Sequence, residues 1–235
     1  MTLHDPDAVH RDYATECGLA ARKHAYRFAV GPDPRELAFQ AVAEAQPRRI
    51  LEVGCGEGEL AERMQRELGA DVVALDQSER MVELTRARGV EAIVGDVVEL
   101  PFRDGEFDCA VAAWMLFHVA DVDRALAELA RVLRPGGRLV AVTNGREHVA
   151  ELYELLAAVR GEPSTFSAEN GGDLLAPHFS RVDRIDASGW LDFPDRDAAQ
   201  EYVRAAQILA RWGDLPPFEG ALRVRRAPCV FVADK

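Results

Sequence analysis

The chain has 235 residues, of which 48% are hydrophobic and 29% are charged. These values favour one soluble domain with a full core, with room for an added subdomain. The formal net charge of −12 would repel phosphate backbones and therefore disfavours a nucleic-acid partner. The polar first residues do not resemble a secretory signal, and the longest apolar run, 110–120, is too short to span a membrane. We therefore expect a cytoplasmic protein with reduced cysteines and no membrane contact.

The first predicted elements precede the regular part of the chain. Residues 8–30 have a helical hydrophobic period. A second helix is predicted from Pro34 to about Gln46, because Asp33 is a favourable capping residue and proline fits the first turn of a helix. We expect residues 1–46 to form a helical lid over the rest of the protein.

From residue 47 onward, short apolar runs alternate with helical periods. Strands are predicted at 50–53, 71–76, 91–95, 107–113 and 137–143, and helices lie between them at roughly 58–68, 78–88 and 121–133. Such alternation predicts a doubly wound α/β fold with a mostly parallel sheet. In this class of fold the loops that follow the strands meet at one edge of the sheet, where ligands bind.

The C-terminal part, residues 146–235, has a less regular pattern. Helices are predicted at 146–160, near 167–176 and at 195–212, and strand-like runs cover 181–191 and 229–233. These two runs are expected to pair antiparallel at the edge of the sheet. The short basic run 223–226 alternates with apolar residues, which is typical of the exposed face of a late strand.

The most informative stretch of the sequence runs from Ile50 to Gly58 and joins an apolar strand to a glycine-rich turn and the start of a helix. Glycines let a ligand approach the backbone closely, and the N–H groups at a helix start favour anionic or polar ligand atoms. Glu59 stands where the dinucleotide fingerprint requires its third glycine. The carboxylate of Glu52 is poorly placed for a pyrophosphate and well placed for a cationic amino group.

Three further motifs follow in order along the predicted sheet. Asp76 ends the second strand, Asp96 follows the third, and the segment Leu133–Leu139, with the sequence LRPGGRL, leads into the fifth. Together with the pattern E-x-G-x-G-x-G at 52–58, these motifs resemble class I S-adenosylmethionine-dependent methyltransferases, in particular the small-molecule branch typified by the ubiquinone/menaquinone-type enzymes. The resemblance is close over residues 48–145. It implies a Rossmann-like sheet of seven strands, mostly parallel, with an antiparallel C-terminal strand.

The resemblance implies S-adenosyl-L-methionine as the cofactor and S-adenosyl-L-homocysteine as the product. Residues 47–145 would form the cofactor-binding core, and residues 146–235 would complete the sheet and form the acceptor side of a single compact domain. The implied cofactor-binding residues are Glu52, Gly54, Cys55, Gly56, Asp76, Gln77, Met81, Asp96, Val97, Ala113 and Trp114. Two structural roles remain open: Glu52 as a satisfied acid at a strand end, and Asp76 as the cap of the following helix.

The implied reaction is an in-line methyl transfer, in which an enzyme mainly positions two reactants and excludes water. His118 follows the fourth strand and is the candidate general base, because imidazole titrates near neutrality; a role in the pocket wall or in the structure remains open. The candidate acceptor pocket consists of Tyr13, Phe117, Asn144 and Phe166. Asn144 could instead cap a helix that begins at Arg146.

The expected function is methyl transfer to a small molecule through an oxygen, nitrogen or carbon nucleophile, without a metal, by a monomer or homodimer. A methyltransferase that acts on RNA or protein is the first competing hypothesis. A non-catalytic cofactor-binding protein and an NAD-linked oxidoreductase are two further hypotheses. The net charge argues against RNA, and Glu59 argues against NAD.

Overall fold

The structure, a computed structural model, describes residues 26–158 and 164–235. Its strands are β1 (Ala29–Val30), β2 (Arg49–Val53), β3 (Asp71–Asp76), β4 (Glu91–Val94), β5 (Phe107–Ala113), β6 (Leu133–Asn144), β7 (Arg181–Asp186), β8 (Gly189–Phe193), β9 (Leu222–Arg226) and β10 (Pro228–Asp234). Its helices are α1 (Pro34–Glu44), α2 (Glu59–Leu68), α3 (Glu79–Ala87), α4 (Val122–Val132), α5 (Ala150–Leu155), α6 (Gly171–Leu175), α7 (Arg196–Ala205) and α8 (Gln207–Ala210), with 3₁₀ turns at Tyr26–Phe28 and Leu116–His118. No helix in the described ranges is long and apolar enough to cross a bilayer.

A seven-stranded sheet in the order β4-β3-β2-β5-β6-β10-β7 forms the centre of the molecule. Strands β4, β3, β2, β5 and β6 pair in parallel, and β10 runs antiparallel to both of its neighbours. This confirms the predicted fold class. Because the five parallel strands end at the same edge, the segments that follow them share one side of the molecule.

Helices cover both faces of this sheet. The adjacent residues Ile50 and Leu51 are both fully buried, and they belong to two different hydrophobic clusters because successive side chains of a strand point to opposite faces. One cluster includes residues of α1, α2 and α3, and the other includes residues of α4. Each fully buried aliphatic side chain of this kind contributes roughly 1.5–3 kcal/mol through the hydrophobic effect. Burial on both faces is the reason why β2 and β5 are mostly apolar and do not alternate between apolar and polar residues.

A second sheet, which the sequence analysis did not predict, has three antiparallel strands in the order β1-β8-β9. It packs with α5 and α7 around its own cluster, in which Leu152, Phe193 and Val203 are fully buried. The predicted strand 181–191 is wrong at this point, because β7 ends at Asp186 and β8 begins at Gly189. Between them, the Asp186 carboxylate accepts hydrogen bonds from the backbone and hydroxyl of Ser188, which turns the chain from one sheet to the other.

Several predicted boundaries are corrected in the same C-terminal part. The helix predicted at 146–160 begins only at Ala150, because residues 146–149 form a turn. The helix predicted at 195–212 breaks at Ala206, whose backbone is extended, and the helix near 167–176 contracts to α6. The basic run does form a strand, β9, as expected. However, its last residue, Arg226, is 1% exposed and donates to the carbonyl of Pro32.

The N-terminal and central predictions are corrected in smaller respects. Residues 26–30 form a 3₁₀ turn and β1 instead of a helix, and the rest of the predicted helix and lid, residues 1–25, lies outside the described residues. Asp33 caps α1 as predicted. Strand β6 begins at Leu133, four residues before its predicted start, and its pairing with β5 shifts register after Phe107. The proposed division at residues 46 and 145 stays a prediction.

Candidate active site

A cavity of about 870 Å³ opens where the parallel strands end. Small-molecule sites enclose roughly 300–1,000 Å³, so the volume is near the upper end of that range. Most of the residues singled out in the sequence line this cavity: Glu52, Gly54, Cys55, Gly56, Asp76, Gln77, Asp96, Val97, Ala113, Trp114, Phe117, His118 and Asn144. Residues from five consecutive strand ends are therefore brought together around one space.

The glycine turn after β2 is held against the neighbouring strand. The backbone nitrogens of Gly54 and Cys55 both donate to the carbonyl of Leu75, at 2.7 and 3.2 Å. Gly54 has φ +66°, and a Cβ at this position would lie 2.6 Å from the Cβ of Met115. Both its backbone conformation and its surroundings therefore require glycine. The turn is consequently a fixed wall of the cavity.

Asp76 is the residue that links the glycine turn to the next strand. Its Oδ2 accepts a 2.9 Å hydrogen bond from the nitrogen of Gly56, and its Oδ1 accepts a 3.0 Å bond from the nitrogen of Ser78. Burial raises the pKa of Asp76, and these backbone N–H groups oppose the rise. The hypothesis that Asp76 caps α3 is wrong, because the Ser78 hydroxyl accepts from the nitrogen of Met81 and is the cap. The Asp76 carboxylate therefore belongs to the cavity wall.

Glu52 is buried at the end of β2, with only 3% of its surface exposed. Its Oε2 has no hydrogen-bond partner among the described residues, so the carboxyl group is only partly satisfied within the protein. Burial, together with the nearby negative charge of Asp76, raises the pKa of Glu52 to about 8, and a backbone hydrogen bond from Ala61 opposes this. A buried carboxyl group in a cavity wall, with one oxygen that has no partner among the described residues, is suited to a cationic ligand group.

The acidic residues are spaced in the order of the strands. Glu52 is the penultimate residue of β2, Asp76 ends β3 and Asp96 follows β4, and adjacent strands are roughly 4.8 Å apart. Asp96 is exposed, and its Oδ1 accepts from the nitrogen of Val98. Val97 is buried in the core and still borders the cavity. An elongated ligand with a cationic end and several polar groups fits this row of carboxylates.

The wall beyond β5 is aromatic and has a strained backbone. Trp114 has φ +54°, which is rare for a bulky residue, and its nitrogen donates to the carbonyl of Val142 at 2.9 Å. Its indole Nε1 donates to Oδ1 of Asn144 at 3.4 Å. Asn144 therefore orients Trp114, and its suggested role as a helix cap is wrong because no helix begins at residue 146. Strain of this kind persists only where the surrounding structure fixes it, and it is common at functional sites.

His118 ends the 3₁₀ turn that follows Trp114. Its backbone nitrogen donates to the carbonyl of Met115 at 2.9 Å, and its ring lies against that of Phe117 with the centroids 4.4 Å apart. Both rings border the cavity. The turn thus presents an imidazole and an aromatic ring directly after the strand that carries Ala113.

Two of the proposed site residues that the structure describes do not take part in this arrangement. Met81 is fully buried in the core under α3, and the cavity does not reach it. Phe166 is also fully buried, with its ring packed edge-on against Phe231, so its expected place in the acceptor pocket is corrected. Tyr13 lies outside the described residues.

The cavity is also lined by residues that the motifs did not indicate, among them Tyr26, Arg35, His148 and Tyr202. The Arg35 guanidinium lies over the Tyr26 ring, 4.7 Å from its centroid. His148 had a signal in the sequence, because it follows the end of β6 at the ligand-bearing edge. Tyr202 had none, because it reaches the cavity only through the packing of α7 on the second sheet.

Comparisons with known proteins agree with this geometry. The family described as a methyltransferase domain matches residues 51–141. Residues 51–141 thus form a methyltransferase domain, and their motifs are those of the class I S-adenosylmethionine-dependent type. The recognition made from the motifs is thereby confirmed, and this domain carries the glycine turn and both strand-end aspartates.

Individual relatives cover different shares of the chain. A demethylmenaquinone methyltransferase of Thermus thermophilus is 41% identical over 115 residues, which are 46% of this chain and 52% of that protein. An O-methyltransferase of Penicillium expansum is 35% identical over 57% of this chain and 52% of that protein. The chain thus matches about half the length of these relatives. A crystallised S-adenosylmethionine-dependent methyltransferase from Thermotoga maritima covers 90% of this chain and 91% of its own length, with 25% identity and a TM-score of 0.57.

Proposed function

We propose that this protein transfers a methyl group from S-adenosyl-L-methionine to a small-molecule acceptor inside the 870 Å³ cavity. The observation that carries the proposal is that two chemically different walls enclose the same cavity. One wall holds the carboxyl groups of Glu52, Asp76 and Asp96, and the other holds Trp114 and His118. The first suits the cofactor, and the second suits an acceptor.

The residues of the first wall fit the groups of the cofactor. Glu52 would accept from the cationic amino group, since its Oε2 lacks a hydrogen-bond partner among the described residues. Asp76 would accept from the ribose hydroxyls, and Asp96 with Val97 would flank the adenine. When bound, S-adenosylmethionine supplies an activated methyl group on a sulfonium. The protein would place this group near Ala113 and Trp114, where β5 ends.

The second wall supports an aromatic or otherwise largely apolar acceptor. It combines the rings of Trp114, Phe117, Tyr26 and Tyr202 with a few polar groups, which is the usual composition of a small-molecule site. The relatives named demethylmenaquinone methyltransferase and O-methyltransferase support a small organic acceptor as well. The net charge of −12 opposes the competing hypothesis of an RNA substrate.

His118 would act as a general base when the acceptor must lose a proton as it attacks. This applies to a hydroxyl or a carbon acid, whereas a neutral amine attacks without prior proton loss. The rest of the catalysis is positioning: the aromatic wall and the second sheet would hold the acceptor in line with the methyl group and exclude water.

Calorimetry with S-adenosylhomocysteine and NADH tests the cofactor class directly. We expect S-adenosylhomocysteine to bind with a Kd in the range of about 1–100 μM and NADH to give no binding heat. An assay with labelled S-adenosylmethionine and 1,4-dihydroxynaphthalene then tests transfer, with appearance of a methyl ether or ring-methylated product as the expected result. Binding of NADH instead of S-adenosylhomocysteine would exclude the proposal. Cofactor binding without transfer to any hydroxyl, amine or carbon acceptor would favour a non-catalytic cofactor-binding protein.

A further inference from the structure

His148 is a second imidazole in the cavity wall, and the function proposed above gives it no role. It lies four residues beyond Asn144, where the chain leaves β6 for the second sheet, and it is half-buried. It borders the same cavity as Trp114 and His118. Since β6 is the neighbour of β5 on the side away from β2, His148 lies on the side of the methyl position opposite to the cofactor carboxylates.

The segment that carries His148 is tied to β9 and the residue after it. Gly145 donates to the carbonyl of Ala227 at 2.6 Å, and Val149 donates to the carbonyl of Arg225 at 2.8 Å. Between these two bonds, the nitrogen of Ala227 donates to Nδ1 of His148 at 3.2 Å. The imidazole is therefore fixed by its side chain as well as by its backbone.

The backbone next to His148 is strained. Val149 has φ +51° and is 5% exposed, and a β-branched residue with positive φ is a genuine outlier. Hydrogen bonds to β9 hold this conformation. In one of them the backbone nitrogen of Arg225 donates to the Glu151 carboxylate at 2.9 Å. Backbone strain that the surroundings maintain is typical of residues that a site must hold in place.

The bond from Ala227 determines which ring nitrogen of His148 carries the proton. A backbone N–H can only donate, so Nδ1 must offer a lone pair and cannot be protonated while this bond is present. The neutral ring then carries its proton on Nε2. The doubly protonated cation is disfavoured because its Nδ1–H would point at the N–H of Ala227. The Nε2 atom is thus a hydrogen-bond donor and not a base.

We propose that His148 binds the methyl acceptor by donating its Nε2–H to an acceptor oxygen. This inference rests on the proposed function and narrows its substrate class to molecules with a carbonyl, phenol or phenolate oxygen near the methylated atom. It also separates the two imidazoles of the cavity. His148 recognises oxygen with a fixed proton, while His118 is the one placed to take up a proton.

Two substitutions separate recognition from structural support. In His148→Asn, the side-chain oxygen takes the position of Nδ1 and still accepts from Ala227, but the donor at Nε2 is lost. In His148→Gln, the amide nitrogen takes the position of Nε2 and keeps the donor, but the support at Nδ1 is lost. A purely structural role predicts that Gln is the more harmful change, and recognition predicts that Asn is.

The binding test uses 1,4-dihydroxynaphthalene added to the complex with S-adenosylhomocysteine. We expect His148→Asn to weaken its binding by about tenfold or more and His148→Gln to stay within about threefold of the wild type. Both variants should bind S-adenosylhomocysteine as the wild type does. Unchanged binding of the naphthalene probe by His148→Asn would overturn the proposal, and so would greater harm from His148→Gln.

A spectroscopic test needs no acceptor. In proton–nitrogen correlation spectra of protein with isotope-labelled histidine, the signal that disappears in His148→Asn should be that of a neutral ring protonated at Nε2. A ring protonated at Nδ1, or a cation at neutral pH, would overturn the inference. Failure of the proposed function has a different signature, because it would appear as loss of S-adenosylhomocysteine binding in the wild type.

Discussion

The backbone nitrogen of Gly56 donates a 2.9 Å hydrogen bond to Oδ2 of Asp76. This bond joins the glycine turn after β2 to the end of β3 and sets the position of both relative to the cavity. Since the turn is also tied to Leu75 by two backbone bonds, the two strand ends form one rigid unit. A rigid cradle of this kind can bind a ligand without first being ordered.

Replacing Asp76 should weaken the cofactor site. We expect Asp76→Ala to lower the affinity for S-adenosylhomocysteine by about tenfold or more, at least ~1.4 kcal/mol, because the ribose hydroxyls lose their acceptor. Asp71→Ala is the matched control, since Asp71 begins the same strand but does not line the cavity. Its carboxylate forms an ion pair with Arg49 at 2.6 Å. Calorimetry measures both. Equal affinities for the Asp76 variant and the wild type would remove Asp76 from the site.

Cofactor binding should depend on pH through Glu52. The pKa of Glu52 is raised to about 8, so this group is mostly protonated in the ligand-free protein at pH 7. A cationic amino group favours its ionised form, so binding should release a proton, and the affinity should increase from pH 6 to about 8. Above that pH Glu52 is already ionised in the ligand-free protein, so the gain in affinity should level off. Calorimetry in two buffers of different ionisation enthalpy measures the proton, and Glu52→Gln should abolish its release.

The same group should destabilise the ligand-free fold as pH rises. In the unfolded chain Glu52 ionises near its ordinary pKa of 4.5, and in the folded chain near 8. Between these values the folded state binds more protons, so stability is lost as pH increases through that window. We expect Glu52→Gln to raise the Tm of the ligand-free protein at pH 7 by about 5 °C while it weakens S-adenosylhomocysteine binding. A Tm at or below that of the wild type would contradict the cost of burying this only partly satisfied acid.

Much of the site could be predicted because its signals are local. The runs from Ile50 to Val53 and from Phe107 to Ala113 are apolar except for Glu52 and Asp108, since both faces of the central sheet are covered, and each run carries or leads into a functional residue. Parallel strands bring such ends to one edge, so order along the chain was enough to place Glu52, Asp76 and Asp96 together.

The remainder depends on contacts between distant parts of the chain. In the second sheet β8 pairs with β1 and β9, which are far from it along the sequence. The local hydrophobic pattern cannot predict such pairing. His148 and Tyr202 reach the cavity only through this unit. The burial of Arg226 has the same cause. The alternating sequence predicts an exposed side chain, but the guanidinium donates to the carbonyls of Val30 and Pro32, which lie far away along the chain.

The glycine turn should not tolerate a side chain at Gly54. Gly54→Ala adds a Cβ 2.6 Å from the Cβ of Met115 and also forces alanine into a positive φ. Gly69→Ala is the matched control, because Gly69 has φ +65° with no atom within 4 Å of the added Cβ, so it carries only the conformational cost of about 1 kcal/mol. We expect Gly54→Ala to be the more destabilising in urea denaturation. Equal losses in the free energy of unfolding would mean that the Met115 side chain moves aside at little cost.

Loss of His118 should affect transfer more than binding. If His118 takes the proton of a hydroxyl acceptor, His118→Asn should lower kcat by roughly 100-fold or more while S-adenosylhomocysteine binds normally. His178→Asn is the control, since His178 pairs with Asp123 at 2.9 Å and does not border the cavity. The measurement is kcat for methyl transfer to 1,4-dihydroxynaphthalene, compared between each variant and the wild type. A kcat within twofold of the wild type would leave His118 with a role in the wall only.

The central claim is that the row of strand ends binds S-adenosylmethionine with its methyl group toward the aromatic wall. A crystal structure of the protein with S-adenosylhomocysteine tests this most directly. We expect the ribose at Asp76, the amino group at Glu52 and the sulfur facing Trp114 and His118. Density for the ligand elsewhere, or with the sulfur turned away from this wall, would contradict the assignment of the site.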